Sequence, residues 1–232
     1  MPILALDTSS DACSAAVLTN DACFTEFELT PRTHTQLILP MVESVLKQAQ
    51  LKLSEVDAIA FGRGPGAFTG VRIATGVAQG LALAANKRLL PISTLAALAQ
   101  QAQQQVQAHK ILVALDARMG EVYWGVYSWA DGYLQLEGEE QVITPSAIEL
   151  PVGNDWVAVG SGWSAYPELA ERAASMIQAT YADWLPSAAF IAQLAQQDYL
   201  AGKALPAEQA QPIYLRNKIA QTTQERLALK QN

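Results

Sequence analysis

Two stretches of the chain repeat one pattern. ILALDTSSDACSAAVL (residues 3–18) and LVALDARMGEVYWGVY (residues 112–127) fall into gapless register, with Asp7 opposite Asp116 and Val17 opposite Val126. Each predicts a buried strand that ends on an aspartate, a short polar turn, and a second strand returning with rough alternation of apolar and polar side chains. A second echo follows in the same order, DAIAFGRG (57–64) against DWVAVGSG (155–162), an apolar strand running into a Gly-x-Gly turn. Two agreements in one order point to duplication of a single α/β unit, with chance similarity of apolar strands as the alternative.

Between the echoes the apolar period lengthens to that of helices. Helices are expected over residues 33–50 and from Phe68 onward, over 165–180 and 187–202, and over the glutamine-rich stretch 95–110, which ends at the junction of the halves. The expected architecture is α/β, with mixed sheets flanked by helices in two tandem subdomains, residues 1–109 and 110–232.

Two of these helices have apolar or small surface to spare. In 33–50, Leu37, Met41, Val45 and Ala49 form one stripe, Ile38, Val42 and Leu46 form another beside it, and Leu39 widens the arc. A helix lying on a sheet needs one stripe, so the remainder predicts a second neighbour, and Pro40 bends the axis. The helix from Phe68 carries Gly70, Gly76 and Gly80, each unfavourable by about 1 kcal/mol relative to alanine. Gly76, Gly80 and Ala84 recur every four residues, a steric path for another backbone. That neighbour is either a partner helix or the protein's own sheet.

Composition narrows the class. Half of the 232 residues are apolar, enough for one sizeable domain or two modest ones. No apolar run is expected to span a bilayer, and the N-terminal stretch has no basic start and meets Asp7 too early for a signal peptide, so a cytoplasmic location is expected. Cys13 and Cys23 have no metal-ligand spacing and are expected as small buried or half-buried residues. The net charge of −7 divides into −1 over residues 1–109 and −6 over 110–232. Such a surface argues against a freestanding nucleic-acid binder; contact with RNA would come through the first half or a partner.

The candidate chemistry centres on GRGPGAFTG (62–70). Gly62, Gly64 and Gly66 permit positive φ and Pro65 stiffens the turn, so amides could converge on a phosphate at the start of the following helix. The alternative is a tight strand-to-helix connection. No Gly-Lys-Ser/Thr closes the loop, and it is not the Gly-x-Gly-x-x-Gly of a dinucleotide fold. A nucleotide site in such a duplicated fold would lie between the halves, with Asp7, Thr8, Ser9, Gly64, Pro65 and Gly66 on one wall and a carboxylate reaching magnesium. The other wall offers Asp116, Ala117, Arg118, Met119 and Gly120, where Arg and Met stand in place of hydroxyls, and Trp163 and Tyr166 are expected to crowd the adjoining turn. A half-equipped cleft predicts weak or no turnover. His34 and His109 are the only histidines, neither with a second ligand at metal spacing, and no nucleophile-elbow motif is present.

ILALDTSSDACSAAVL, RTHTQLILPMVESVL, GRGPGAFTGVRIATGVAQGLA and PIYLRNKIA (212–220) together closely resemble the TsaB, or YeaZ, family of bacterial proteins needed for threonylcarbamoyladenosine on tRNA. The resemblance spans nearly the whole chain. It implies the actin-like ATPase fold of two ribonuclease-H-like halves, and a non-catalytic scaffold that pairs with TsaD in modifying tRNAs that read ANN codons. TsaD shares the glycine loop and carries a His-x-x-x-His metal motif whose positions fall here on Thr94 and Leu98, so no resident metal or cofactor is implied. The implied interface is a helix bundle using Leu37, Ile38, Met41, Val42 and Val45 of the first helix and Gly70, Ala74 and Val77 of the second. The same surface would form a homodimer when TsaD is absent. The small ATPase TsaE is a further implied partner, tRNA is met indirectly through the complex, and no membrane is involved. The rival expectation is an ATP-dependent phosphotransferase of the sugar-kinase type working through Asp7, Thr8 and the glycine loop; a peptidase, without metal pair or triad, is weaker.

Overall fold

The computed structural model describes residues 1–30 and 32–216; residues 217–220 of the PIYLRNKIA stretch, and the rest of the second subdomain's end, lie outside them. The elements run β1 (Ile3–Asp7), β2 (Ala12–Leu18), β3 (Cys23–Leu29), α1 (His34–Gln48), β4 (Ala58–Gly62), α2 (Phe68–Ala85), β5 (Arg88–Ile92) and α3 (Thr94–Val106). They continue with β6 (Lys110–Arg118), β7 (Glu121–Ala130), β8 (Tyr133–Leu136), β9 (Gln141–Ile143), β10 (Trp156–Val159), α4 (Gly162–Ala165), α5 (Pro167–Ala173), β11 (Ile177–Tyr181) and α6 (Ala188–Leu200).

The duplication is visible in the strand order. One sheet runs β3-β2-β1-β4-β5 and the other β8-β7-β6-β10-β11, with β9 added beside β7. These are the same path through equivalent strands, so the fold is two ribonuclease-H-like lobes in tandem. In each, the hairpin is antiparallel, placing Asp7 against Ser14 and Asp116 against Val122. The next strand is parallel to the first, β4 to β1 and β10 to β6. Every residue of β1 and β4 is buried, which is why both read as continuous apolar runs rather than alternating ones.

Two helices pack away from the sheet that precedes them in the chain. Leu95, Leu98 and Ala102 of α3 enter a core with Ile111, Val113 and Val159 of the second sheet. Ile191, Ala192 and Ala195 of α6 enter a core with Ile3, Ala5 and Ala60 of the first. The 109/110 junction therefore separates the two sheets but not the helices that cover them. Ser93 starts α3 by accepting from the amides of Leu95 and Ala96, satisfying two donors that a helix start leaves without intrahelical partners.

Four expectations need correction, the first being Cys23, expected as buried or half-buried and found exposed. The helical reading of 165–180 holds only as far as Ala173; 177–181 is β11, an edge strand whose residues alternate between half-buried and exposed. Its Ala- and Thr-rich composition left the period ambiguous. Trp163, expected beside the cleft, is buried against Trp124 with ring centroids 5.9 Å apart. By length and composition α2 is apolar enough to cross a membrane, although no such run was expected; Val71, Ala74, Ala78 and Ala82 instead bury one of its faces in the first lobe.

Crossed helices make each lobe's core depend on the other's chain. All five tryptophans lie between Trp124 and Trp184, whereas Cys13 is buried in β2. In urea, tryptophan fluorescence and Cys13 thiol reactivity should report one midpoint; two separated midpoints would show that the lobes unfold independently. Leu98→Ala should lower both midpoints together, by about 2–5 kcal/mol of stability.

Candidate functional site

The turn after β1 is pressed against the glycine loop with almost no side chain between them. The Thr8 hydroxyl donates to the Gly70 carbonyl at 2.6 Å, and the Ala67 amide donates to the Ser9 carbonyl at 2.7 Å. A Cβ on Gly70 would lie 1.9 Å from the Thr8 carbonyl oxygen, a contact no side chain tolerates. The loop is tied from its other sides as well. Thr94 donates its amide to the Gly64 carbonyl at 3.1 Å and its hydroxyl to the Pro65 carbonyl, while the Ile213 amide reaches the Arg63 carbonyl at 2.9 Å. The loop thus acts as a tight strand-to-helix connection whose carbonyls are turned toward the protein.

Asp7 lies behind this contact, fully buried. Its Oδ2 accepts from the Ser9 amide at 3.2 Å and the Ser9 hydroxyl at 2.9 Å. Oδ1 has no partner among the described residues, and a Cβ on Gly62 would stand 1.9 Å from it. Burial pushes the carboxyl up from 3.8 to about 7, against the lowering effect of the Ser9 hydrogen bonds.

Between the lobes runs a cleft of about 550 Å³. Ser9, Pro65 and Gly66 line it from the first lobe and Asp116, Arg118 and Met119 from the second; Asp7 and Thr8 do not. Asp116 is already engaged. Its Oδ1 accepts from the Arg118 amide at 2.7 Å and the Tyr166 hydroxyl at 3.0 Å, and its Oδ2 pairs with the Arg118 guanidinium at 3.0 Å. Tyr166 therefore occupies the carboxylate rather than merely crowding the turn, and burial followed by that hydrogen bond raises its phenol. Of the two duplicated aspartates, one is sealed away and the other is paired with the exposed Arg118, while Asp11 lines the cleft in solvent. Among the described residues, no group of three or more His, Cys, Asp or Glu side chains could hold a metal ion. His34 has a structural contact, its Nε2 lying 2.9 Å from the Ser10 carbonyl. Thr94 and Leu98, at the positions of the TsaD histidines, are both fully buried.

The expected helix interface also rearranges. Ile38, Met41, Val42 and Val45 are buried in the first lobe's own core with Ala74, and Gly70 is spent on the Thr8 turn. None of these six is free to face a partner, while Leu37 and Val77 are half-buried. Most of the apolar arc of α1 is covered by its own neighbours, including Leu51 and Leu53 of the following loop and Ile73 and Leu81 of α2, whereas Leu39 is 51% exposed. What α2 leaves in solvent is a different stripe: Phe68, Arg72, Gly76, Gly80, Leu83 and Ala84. Leu83 is 71% exposed, and nothing lies within 4 Å of a Cβ built on Gly76 or Gly80. The period-four glycine signal pointed to this stripe; the α1 signal pointed inward.

The raised carboxyl sets a pH dependence. Between the unfolded value of 3.8 and the folded value of about 7 the native state binds the Asp7 proton more tightly, so stability is greatest below that window and falls as pH rises through it. Asp7→Asn removes the ionisation. Its stability relative to the parent protein should rise by about 4 kcal/mol from acid to mildly alkaline solution, measured as urea midpoints across the pH range. Parallel curves for the two proteins would contradict the burial of an ionisable Asp7.

The family described as "TsaD: tRNA N6-adenosine threonylcarbamoyltransferase" matches residues 27–227. The tRNA threonylcarbamoyladenosine biosynthesis protein TsaB of Escherichia coli is 43% identical over 182 residues, 77% of this chain and 79% of that protein. The protein of the same name from Haemophilus influenzae is 44% identical over 181 residues, 74% and 77% of the two chains. A crystal structure titled "an uncharacterized protein with similarity to peptidase YEAZ from Pseudomonas aeruginosa" superposes with a TM-score of 0.87 at 46% identity, covering 93% of this chain and 99% of that one. By these relatives and this family match, the chain belongs to the TsaB (YeaZ) family, within the wider family described for TsaD.

Proposed function

We propose that the protein is a non-catalytic scaffold subunit in the formation of N6-threonylcarbamoyladenosine on tRNA, beside the anticodon, in the cytoplasm. The relatives' names supply the pathway. The observation that carries the non-catalytic role is the sealing of Asp7 behind Ser9 and Gly62, together with the engagement of Asp116 by Arg118 and Tyr166. Phosphoryl transfer needs a carboxylate or equivalent group at the metal and donors on the phosphates at the same moment. A sugar-kinase-type phosphotransferase would need both of these aspartates released.

The partner is TsaD, the tRNA N6-adenosine threonylcarbamoyltransferase, and the contact is a helix pairing over the exposed stripe of α2. Two glycines at the spacing of one helical turn let a partner helix approach the backbone closely, and Leu83 supplies apolar area at the end of the stripe. Because the patch lies on one helix, a second copy can meet it about a twofold axis, which gives the homodimer when TsaD is absent. TsaE docks on the assembled pair. The tRNA is held by the complex rather than by this subunit, whose second half carries a net charge of −6.

Gly76→Glu and Leu83→Glu test the pairing without touching the core. Both positions face solvent, and Gly76→Glu removes a glycine from a helix interior, so the isolated protein should keep or gain stability. Each variant should bind purified TsaD at least about tenfold more weakly, since a carboxylate would be buried without a counter-charge. Co-purification at the parent yield by both variants, with unchanged thermal melting, would place the interface elsewhere.

A further inference from the structure

The last described residues belong to neither lobe alone. The Ile213 amide donates to the Arg63 carbonyl of the glycine loop at 2.9 Å. Tyr214 packs on Phe68 with ring centroids 5.5 Å apart, and its hydroxyl accepts from Arg72 Nε at 2.9 Å. The Arg72 guanidinium lies 3.8 Å over the Phe68 ring, so the first-lobe anchor is a guanidinium packed with two aromatic rings. Two residues further on, Arg216 reaches the second lobe. It forms an ion pair with Glu121, donates to the Arg118 carbonyl at 3.1 Å and lies 3.6 Å from the Met119 sulfur. Ile213, just before the first anchor, and Leu215, between the two, form part of the cleft wall.

The turn gripped by Arg216 is a costly one. Arg118, Met119 and Gly120 take φ values of 63°, 58° and 78°, three consecutive residues in the left-handed region, two of them bearing side chains. Backbone of this kind persists where its surroundings over-determine it. Here the Asp116 carboxylate holds the turn from within through the Arg118 amide, and Arg216 clamps it from outside through Glu121 and the Arg118 carbonyl. Arg216 and Glu121 side chains are 16% and 32% exposed, which limits screening of the pair by salt.

We propose that residues 213–216 are an interlobe strap. An aromatic and guanidinium anchor on α2 and an ion pair on the β6–β7 turn together hold the two lobes in one relative orientation and close one side of the cleft. Release of either anchor loosens the far lobe as well as the near one, because the strap transmits restraint only while both ends are attached. The strap starts at Phe68 and Arg72, the head of the exposed α2 stripe, so it also fixes that stripe relative to the second lobe.

Hydrogen exchange followed by mass spectrometry on the full chain tests this, using Arg216→Ala, Tyr214→Ala and the charge-exchanged double variant Glu121→Arg with Arg216→Glu. Arg216→Ala should speed exchange roughly tenfold in peptides covering 116–121 and 63–70, with β1 and β6 still protected. Tyr214→Ala leaves the ion pair in place, yet it should loosen 116–121 to a similar degree. The charge-exchanged variant should return 116–121 part of the way toward the parent rate, because it restores the ion pair but not the donation to the Arg118 carbonyl. If Tyr214→Ala loosens only the first-lobe peptides, or the charge exchange leaves 116–121 as fast as Arg216→Ala does, the anchors are separate local contacts and the strap does not exist.

Discussion

Two backbones meet where the turn after β1 reaches the glycine loop, and the absence of side chains at Gly62, Gly66 and Gly70 is what lets them meet. A Cβ on any of the three would stand within 2.3 Å of an atom of residues 7–9. The approach orders the start of α2, because the Ala67 amide and the Thr8 hydroxyl are satisfied across it. It also determines what the first lobe can do. The carbonyls of Arg63, Gly64 and Pro65 are held by Ile213 and Thr94 and the Ala67 amide by Ser9, while Pro65 and Gly66 still line the cleft. The same glycines that would serve a nucleotide loop serve here to close the protein on itself.

The second lobe repeats the topology but not the chemistry. Its equivalent aspartate, Asp116, lies at the cleft and is consumed by Arg118 and Tyr166. One lobe therefore hides its first-strand carboxylate by burial and the other pairs it with Arg118 and Tyr166, so neither of the two duplicated aspartates stands free in the cleft. The fold combines two sheets, helices that cross between them, and a segment, residues 213–216, anchored to both lobes. On the proposed reading, a body built this way presents the exposed face of α2 to a partner.

The sequence carried the architecture well because duplication is written in strands, and strands are short and local. The Asp7/Asp116 register and the paired Gly-x-Gly turns appear at equivalent points of two sheets with one strand order. Helix faces were less legible. Periodicity gives the angle at which an apolar residue points, not what lies opposite, so the wide arc of α1 read as partner-seeking when its own lobe covers Ile38, Met41, Val42 and Val45. Small residues on α2 divided between two roles that spacing alone does not separate: Gly70 closes on Thr8, whereas Gly76 and Gly80 face solvent. The destination of α6 and the contact of Arg216 with Glu121 join residues far apart in the chain, and no local pattern encodes them.

The central claim is that this subunit contributes a surface and no nucleotide chemistry of its own. Calorimetric titration of the purified protein with magnesium ATP, followed in the same cell by purified TsaD, tests it most directly. The account predicts no saturable heat with the nucleotide and a saturable heat with TsaD; saturable binding of magnesium ATP to the isolated protein, lost in Asp7→Ala, would contradict it.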